Sequence, residues 1–190
     1  MNPAAIAAMS SALAIIGNPS SLHADGRAVR KYVEDARDIL AKHIGCAPSE
    51  IIFTGSGTEA NNIAIKGIYW QRNSEKSRPV IVTSAIEHQA VLEPAQWLAE
   101  HEGAQHISIP VTADGVISLD ALRLIVAEHG DEIALISVMH SNNETGAIQP
   151  IADVVAIAGD IPVHSDAIQS WQKVDLSFKE LGIFVMSLSG

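Results

Sequence analysis

The chain has 190 residues, of which 47% are hydrophobic and 18% are charged, a composition that suits one sizeable globular domain. Its formal net charge of −10 argues against a nucleic-acid partner, because clusters of Lys and Arg bind phosphate backbones. The single cysteine, Cys46, cannot form an internal disulfide, which is typical of proteins in a reducing cytosol. It follows a helical pattern, so we interpret it as an inert loop residue rather than a nucleophile.

The amino-terminal segment 4–16 consists almost entirely of small or apolar residues. A secretion signal needs a basic leading region, but no Lys or Arg precedes Arg27. The segment is also too short to span a membrane. The alanine-rich composition, with Pro3 near its start, predicts a helix packed on the domain. We therefore expect a cytoplasmic protein with no membrane association.

Two periodicities alternate along the rest of the chain. An amphipathic helix is predicted over 24–44, where apolar residues recur every three or four positions and Gly45 ends the pattern. Further helices are predicted at 59–70, 89–101, 118–128 and 151–158, and apolar strands at 51–53, 80–83, 106–109, 133–139, 162–165 and 184–187. Apolar strands separated by helices indicate an α/β domain with three layers, α/β/α, and a mostly parallel sheet covered on both faces.

Ligands of such sheets bind beyond the carboxyl ends of the strands, so the loops there are informative. The loop after 51–53 contains Gly55 and Gly57 and leads into a helix, which predicts a phosphate-binding cradle. The loop lacks the ending of a Walker motif but matches Gly-x-Gly-x-x-Ala, so a nicotinamide or flavin protein is an alternative. No acidic residue ends the next strand, where a ribose partner is expected. A merely tight turn remains a further explanation.

Three later loops add polar groups at the same edge. His88 begins a helix, 140–146 is a strongly polar segment, and Asp166 ends a buried strand. Each has an ordinary structural explanation as a helix cap or a polar turn. Together they favour a site for a planar ring, with a carboxylate that could keep a pyridine nitrogen protonated.

The same segments carry a family resemblance. Residues 18–27 (NPSSLHADGR), 57–62 (GTEANN), 85–88 (AIEH), 139–146 (MHSNNETG) and 187–190 (SLSG) resemble the cysteine desulfurases, which are class V aminotransferase-like enzymes dependent on pyridoxal 5'-phosphate. The resemblance covers almost the whole chain in order. It implies part of the large domain of the aminotransferase type I fold over residues 1–190.

The resemblance also implies roles for individual residues. Cofactor contacts are expected from Gly57, Thr58, His88, Asn143, Asp166, Gln169 and Ser189. The Gly57 backbone, Thr58 and Ser189 would hold the phosphate, and Asp166 would pair with the pyridine nitrogen. Asn143 and Gln169 would lie near the ring hydroxyl. His88 would stack on the ring and act as the catalytic proton relay. No metal is expected.

The family pattern continues as Ser-Gly-His-Lys, in which the lysine forms the Schiff base. The lysines of this chain all lie elsewhere: Lys31, Lys42, Lys66, Lys76, Lys173 and Lys179. The resemblance places the nucleophilic cysteine and the small domain in later sequence, so we expect this chain alone to be inactive.

The implied reaction converts L-cysteine to L-alanine in a homodimer. Sulfur would pass to an enzyme persulfide for iron–sulfur cluster or thio-cofactor synthesis, with a sulfur-acceptor or scaffold protein as a possible partner. A non-catalytic or split-gene subunit, a selenocysteine lyase relative and a dinucleotide-binding domain remain alternatives.

Overall fold

The computed structural model describes residues 2–189 and divides the chain into two compact units, Met1–Ile52 and Phe53–Gly190. The first unit contains helix α1 (Pro3–Leu13), helix α2 (Ala24–Ile44) and a 3₁₀ turn at Pro48–Glu50. The assignment of 1–190 to one partial large domain stays a prediction.

Both predicted helices of the first unit form. The Asn2 side chain caps α1 by accepting a hydrogen bond from the Ala4 N–H at 2.9 Å, with Pro3 in the first turn. Helix α1 has no buried residue, and its packing on the domain stays a prediction. Gly45 ends α2 in the left-handed conformation (φ 75°), as its sequence position predicts. No helix within residues 2–189 is long and apolar enough to cross a membrane.

A five-stranded sheet forms the centre of the second unit. Its strands are β1 (Val80–Ser84), β2 (Gln105–Ile109), β3 (Ile133–Ser137), β4 (Val163–Asp166) and β5 (Val185–Ser187). The strand order is β2-β1-β3-β4-β5, and all neighbouring strands are parallel. Strands β1 and β3 are buried along their whole length, which explains their continuous apolar sequence. The predicted parallel sheet is confirmed.

Helices cover both faces of this sheet. They are α3 (Gly57–Asn73), α4 (Gln89–Glu102), α5 (Leu119–His129), α6 (Ile151–Ala158) and the short α7 (Phe178–Leu181). One face packs against α3 and α4, with Ile65 and Leu98 fully buried against Ile81. The other face packs against α5 and α6 through residues such as Leu122 and Val154. The predicted three-layer arrangement is confirmed.

One predicted strand is wrong. Residues 51–53 belong to no strand of the described sheet, although the Ile51 backbone is extended (φ −85°, ψ 125°). Ile52 is 76% exposed and Phe53 is 48% exposed, so this apolar run is not a buried central strand. A short apolar run alone cannot distinguish a strand from an apolar connection. The short helix α7 was not predicted.

Candidate ligand-binding site at the carboxyl edge of the sheet

A small pocket of about 90 Å³ lies beyond the carboxyl ends of the strands. It is lined by Thr58, His88, Ala90, Met139, Asn143, Asp166, Ile168 and Gln169. Five of these residues are among those predicted from the sequence. They come from four separate segments. Three of these follow β1, β3 and β4 at one edge of the parallel sheet, and the fourth is the amino end of α3.

A larger cleft of about 420 Å³ lies at the opposite edge, near the amino ends of β4 and β5. Its lining includes Arg72, Asp160 and Phe184, and none of the predicted site residues. The smaller pocket has the chemistry expected of a site, because titratable and amide side chains converge on it. Volume alone therefore points to a different edge of the sheet from the one that the sequence predicts.

Asp166 is the anchored carboxylate of the pocket. It ends β4 and is only 5% exposed. Its Oδ1 accepts a hydrogen bond from the Ile168 N–H at 3.0 Å, and its Oδ2 accepts one from Asn61 Nδ2 at 2.7 Å. Two donors therefore fix the carboxylate in one orientation at the pocket wall, where it can face a cationic or N–H group of a ligand.

The amino end of α3 supplies backbone donors beside this wall. Ser56 caps the helix, and its Oγ accepts a hydrogen bond from the Glu59 N–H at 3.1 Å. The first N–H groups of a helix have no intrahelical partner, so those of Gly57 and Thr58 are suited to an anion. A Cβ added at Gly57 would overlap Cδ1 of Ile168 and lie 3.8 Å from Cβ of Ser189. Gly57 and Ser189 therefore lie close to the pocket lining, although neither lines it.

His88 is the N-cap residue of α4 as well as a pocket residue. Its Nδ1 accepts a hydrogen bond from the Ala90 N–H at 3.1 Å. In a neutral ring the proton is then assigned to Nε2. His88 can therefore cap α4 and also contact a ligand, because the cap uses only one of its ring nitrogens.

Asn143 and Gln169 place amide groups at the rim. Both are exposed and both line the pocket. The Gln169 Oε1 accepts a hydrogen bond from Lys173 Nζ at 2.7 Å, which leaves its amide nitrogen as a donor. The preceding residue, Asn142, orders the Asn143 loop through Oδ1, which accepts bonds from the Glu144 N–H at 3.0 Å and the Thr145 N–H at 2.9 Å.

Asn61 was missed by the prediction of site residues. It lies on α3, is fully buried and donates to Asp166. A signal was present in the sequence, because Asn61 takes an apolar position in the series continued by Ala64, Ile65 and Ile68. A polar residue at such a position needs a buried partner.

Glu87 is the second missed residue. It is 6% exposed, and its Oε1 accepts hydrogen bonds from Ser84 Oγ and from the Met139 N–H, both at 2.6 Å. Burial raises the pKa of Glu87 from 4.5 to about 8, with a further increase from the charge of Asp166. The two hydrogen bonds oppose this increase in part. No sequence pattern separates Glu87 from an exposed glutamate.

A buried histidine supports the end of β5, which leads to Ser189. His164 Nδ1 lies 2.8 Å from Ser137 Oγ, and Nε2 lies 3.0 Å from Ser187 Oγ. These contacts join β3, β4 and β5 across the sheet. Burial lowers the pKa of His164 from 6.5 to about 4, so the ring is neutral at neutral pH.

These observations describe a parallel α/β domain with a helix amino end, a buried carboxylate and a small recess at one edge. The aminotransferase class-V family matches residues 2–190. The IscS-like cysteine desulfurase of Mycobacterium tuberculosis (strain ATCC 25618 / H37Rv) is 49% identical over all of this chain and 49% of its own length. Cysteine desulfurase IscS of Dictyoglomus turgidum (strain DSM 6724 / Z-1310) is 42% identical over 91% of this chain and 43% of its own length.

Solved structures show the same fold. A structure titled "SspA in complex with cysteine" has a TM-score of 0.90 and 35% identity, covering all of this chain and 54% of that one. A NifS-like protein has a TM-score of 0.84 and 37% identity, and the match covers 91% of this chain and 47% of that protein. The chain belongs to the aminotransferase class-V family, and the predicted fold is confirmed. It spans about half the length of the curated relatives that it matches.

Proposed function

We propose that this chain forms the cofactor-binding part of a pyridoxal-phosphate-dependent cysteine desulfurase. The observation that carries the proposal is the buried Asp166 carboxylate, fixed by Asn61 and the Ile168 N–H at the wall of a small pocket. Similarity to proteins named cysteine desulfurase supports the reaction class.

The residues present fit the cofactor. Pyridoxal phosphate needs an anion site, a carboxylate opposite a ring nitrogen and donors near a ring hydroxyl. The amino end of α3 offers Gly57 and Thr58 N–H groups, and the absence of a Cβ at Gly57 keeps Ile168 in place beside them. Asp166 supplies an oriented negative charge, while Asn143 and Gln169 supply amides.

Each residue then has a defined task in the proposal. Gly57, Thr58 and Ser189 bind the phosphate, and Asp166 holds a proton on the ring nitrogen. Asn143 and Gln169 orient the ring through its hydroxyl. His88 stacks on the ring, and its Nε2 gives or accepts a proton during the reaction. When bound, the cofactor supplies an electron sink for the carbanion formed at the substrate Cα.

L-cysteine is the proposed substrate, with L-alanine and enzyme-bound persulfide sulfur as products. The structure titled "SspA in complex with cysteine" supports this choice over a selenocysteine analogue. The sulfur would serve iron–sulfur cluster or thio-cofactor synthesis, passing to an acceptor or scaffold protein. The relatives named cysteine desulfurase support the removal of sulfur from cysteine.

A homodimer in the cytoplasm is the proposed setting. The exposed side chains of Ile63 (51%) and Trp70 (49%) lie seven residues apart on one face of α3, and such apolar exposure is consistent with self-association. Sedimentation analysis of an Ile63→Lys variant tests this point. An unchanged monomeric mass for the parent protein and the variant would contradict the dimer.

A direct experiment separates this function from a dinucleotide-binding domain. Calorimetric titrations with pyridoxine 5'-phosphate and with NAD are run side by side. The first ligand lacks the aldehyde and cannot react with surface lysines. We expect binding of pyridoxine 5'-phosphate that weakens in Thr58→Val and stays unchanged in Thr112→Val, an exposed loop position that does not line the pocket. Binding of NAD alone would refute the proposal.

A further inference from the structure

Glu87 is a buried carboxyl group that the proposed reaction does not use. Its Oε1 accepts two hydrogen bonds, whereas its Oε2 is buried and has no partner among residues 2–189. If Glu87 were ionised, its buried Oε2 would lose its hydration and gain no hydrogen bond in return, which is energetically costly. A neutral acid with its hydroxyl at Oε2 avoids most of this penalty.

The surroundings of Glu87 add to this argument. The charged group that acts on it is Asp166 at the end of β4. Strand β1 presents the hydroxyl of Ser84, and the segment after β3 presents the backbone N–H of Met139. Neither of these donors titrates near neutral pH. When two carboxyl groups lie close together, the group with better solvation or better hydrogen bonds is the one that ionises. Asp166 has a hydrogen bond to each oxygen, so Glu87 is the group that stays neutral.

Glu87 also joins two loops that line the pocket. Its bond to the Met139 N–H connects the segment after β1 with the segment after β3. A second bond, from Asn142 Nδ2 to the Ile86 carbonyl at 3.1 Å, connects the same two segments. His88 and Asn143 are the immediate neighbours of these bridging residues and line the pocket from the two sides.

We infer that Glu87 keeps a proton at neutral pH and, as a neutral acid, acts as a positioning residue that joins the loops carrying His88 and Asn143. Ionisation places a second negative charge beside Asp166 and rearranges both loops. The protonation and the loop coupling concern the chain itself, and only their use in binding rests on the proposed function.

Difference infrared spectroscopy of the ligand-free chain tests the protonation. We expect the carbonyl band of a protonated carboxylic acid at neutral pH, lost in Glu87→Gln and fading in the parent protein as the pH rises through about 8. Glu93→Gln removes an exposed glutamate on α4 and is the matched control, which should retain the band. The same band in the parent protein and in Glu87→Gln would overturn the inference.

Nuclear magnetic resonance tests the positioning role on the same samples. The backbone amide of Met139 and the side-chain amide of Asn143 should shift together through about pH 8 in the parent protein and in Glu93→Gln. In Glu87→Gln both should keep the neutral-pH position throughout, because the amide oxygen can replace Oε1 as an acceptor. A titration of Asn143 that persists in Glu87→Gln would overturn the positioning role.

A failure of the proposed function gives a different result. Absence of pyridoxine 5'-phosphate binding would refute that function and leave both spectroscopic readouts unchanged. Where binding occurs and requires neutral Glu87, affinity should fall about tenfold one pH unit above the midpoint, and only when Glu87 is present.

Discussion

Replacement of Gly57 by Ala is a small change with a defined structural consequence. The new Cβ would overlap Cδ1 of Ile168 and lie 3.3 Å from its Cγ1. Carbon atoms in contact sit about 3.5–4.0 Å apart, so the end of Ile168 must move by roughly 1 Å or more. Overpacking of a well-packed core costs about 1–3 kcal/mol, and the cost here lies toward the lower end because Cδ1 is the far end of a half-buried side chain. Ile168 lines the pocket of about 90 Å³, so the displacement removes space that a ligand needs.

The expected result is weaker binding of pyridoxine 5'-phosphate. If the full overpacking energy of about 1–3 kcal/mol disfavours the bound state, the dissociation constant rises by about 5- to 150-fold. Isothermal calorimetry measures the dissociation constant, and thermal unfolding reports stability separately. The double variant Gly57→Ala with Ile168→Val lacks the overlapping Cδ1 atom and should recover most of the affinity.

Gly67→Ala is the matched control on the same helix, because a Cβ there meets no described atom within 4 Å. It should leave binding unchanged and stabilise the exposed helix position by about 0.5–1 kcal/mol. Two results would refute the steric argument. One is parental affinity in Gly57→Ala, and the other is a double variant that binds no better than the single one.

Two further changes test the groups around Asp166. Asn61→Ala removes a donor 2.7 Å from Asp166 Oδ2 and should lower the free energy of unfolding by about 1–3 kcal/mol in urea titrations; an unchanged midpoint would contradict the importance of this bond. The pH dependence of stability should contain two opposed contributions. The raised pKa of Glu87 gives stability that is full below about pH 4.5 and lost as pH rises through about 8, roughly 5 kcal/mol in all. The lowered pKa of His164 gives stability that is full above about pH 6.5 and lost as pH falls through about 4, roughly 3 kcal/mol. Denaturant titrations of Glu87→Gln should therefore show only the loss of stability at low pH that His164 causes. A remaining loss of about 5 kcal/mol as the pH rises through about 8 would contradict the Glu87 assignment.

The parallel sheet was predictable because its signal is repeated along the chain. Five apolar runs became strands, and β1 and β3 at the centre of the sheet are buried along their whole length. The run 51–53 is equally apolar but forms no strand of the described sheet, so composition alone could not decide its structure. Pairing depends on which segments meet, and a local pattern does not contain that information.

The candidate site was predictable to the extent that its residues follow strands. His88, Asn143 and Gln169 do so, and parallel topology then brings them to one edge. Asn61 and Glu87 depend on tertiary contacts instead. Asn61 belongs to the buried face of a helix, and Glu87 becomes distinctive only when burial and Asp166 raise its pKa. Such residues contact the residues that line the pocket, and the local sequence pattern does not identify them.

The proposed function depends on the Asp166 carboxylate keeping the ring nitrogen of a pyridoxal-type ligand protonated in this pocket. Nitrogen-15 resonance of ring-labelled pyridoxine 5'-phosphate bound to the chain measures this directly. We expect a protonated nitrogen in the parent protein and in Asp153→Asn, an exposed control on α6. In Asp166→Asn the nitrogen should be unprotonated at the same pH. The same protonated signal in Asp166→Asn, or no bound signal in the parent protein, would contradict the role of Asp166.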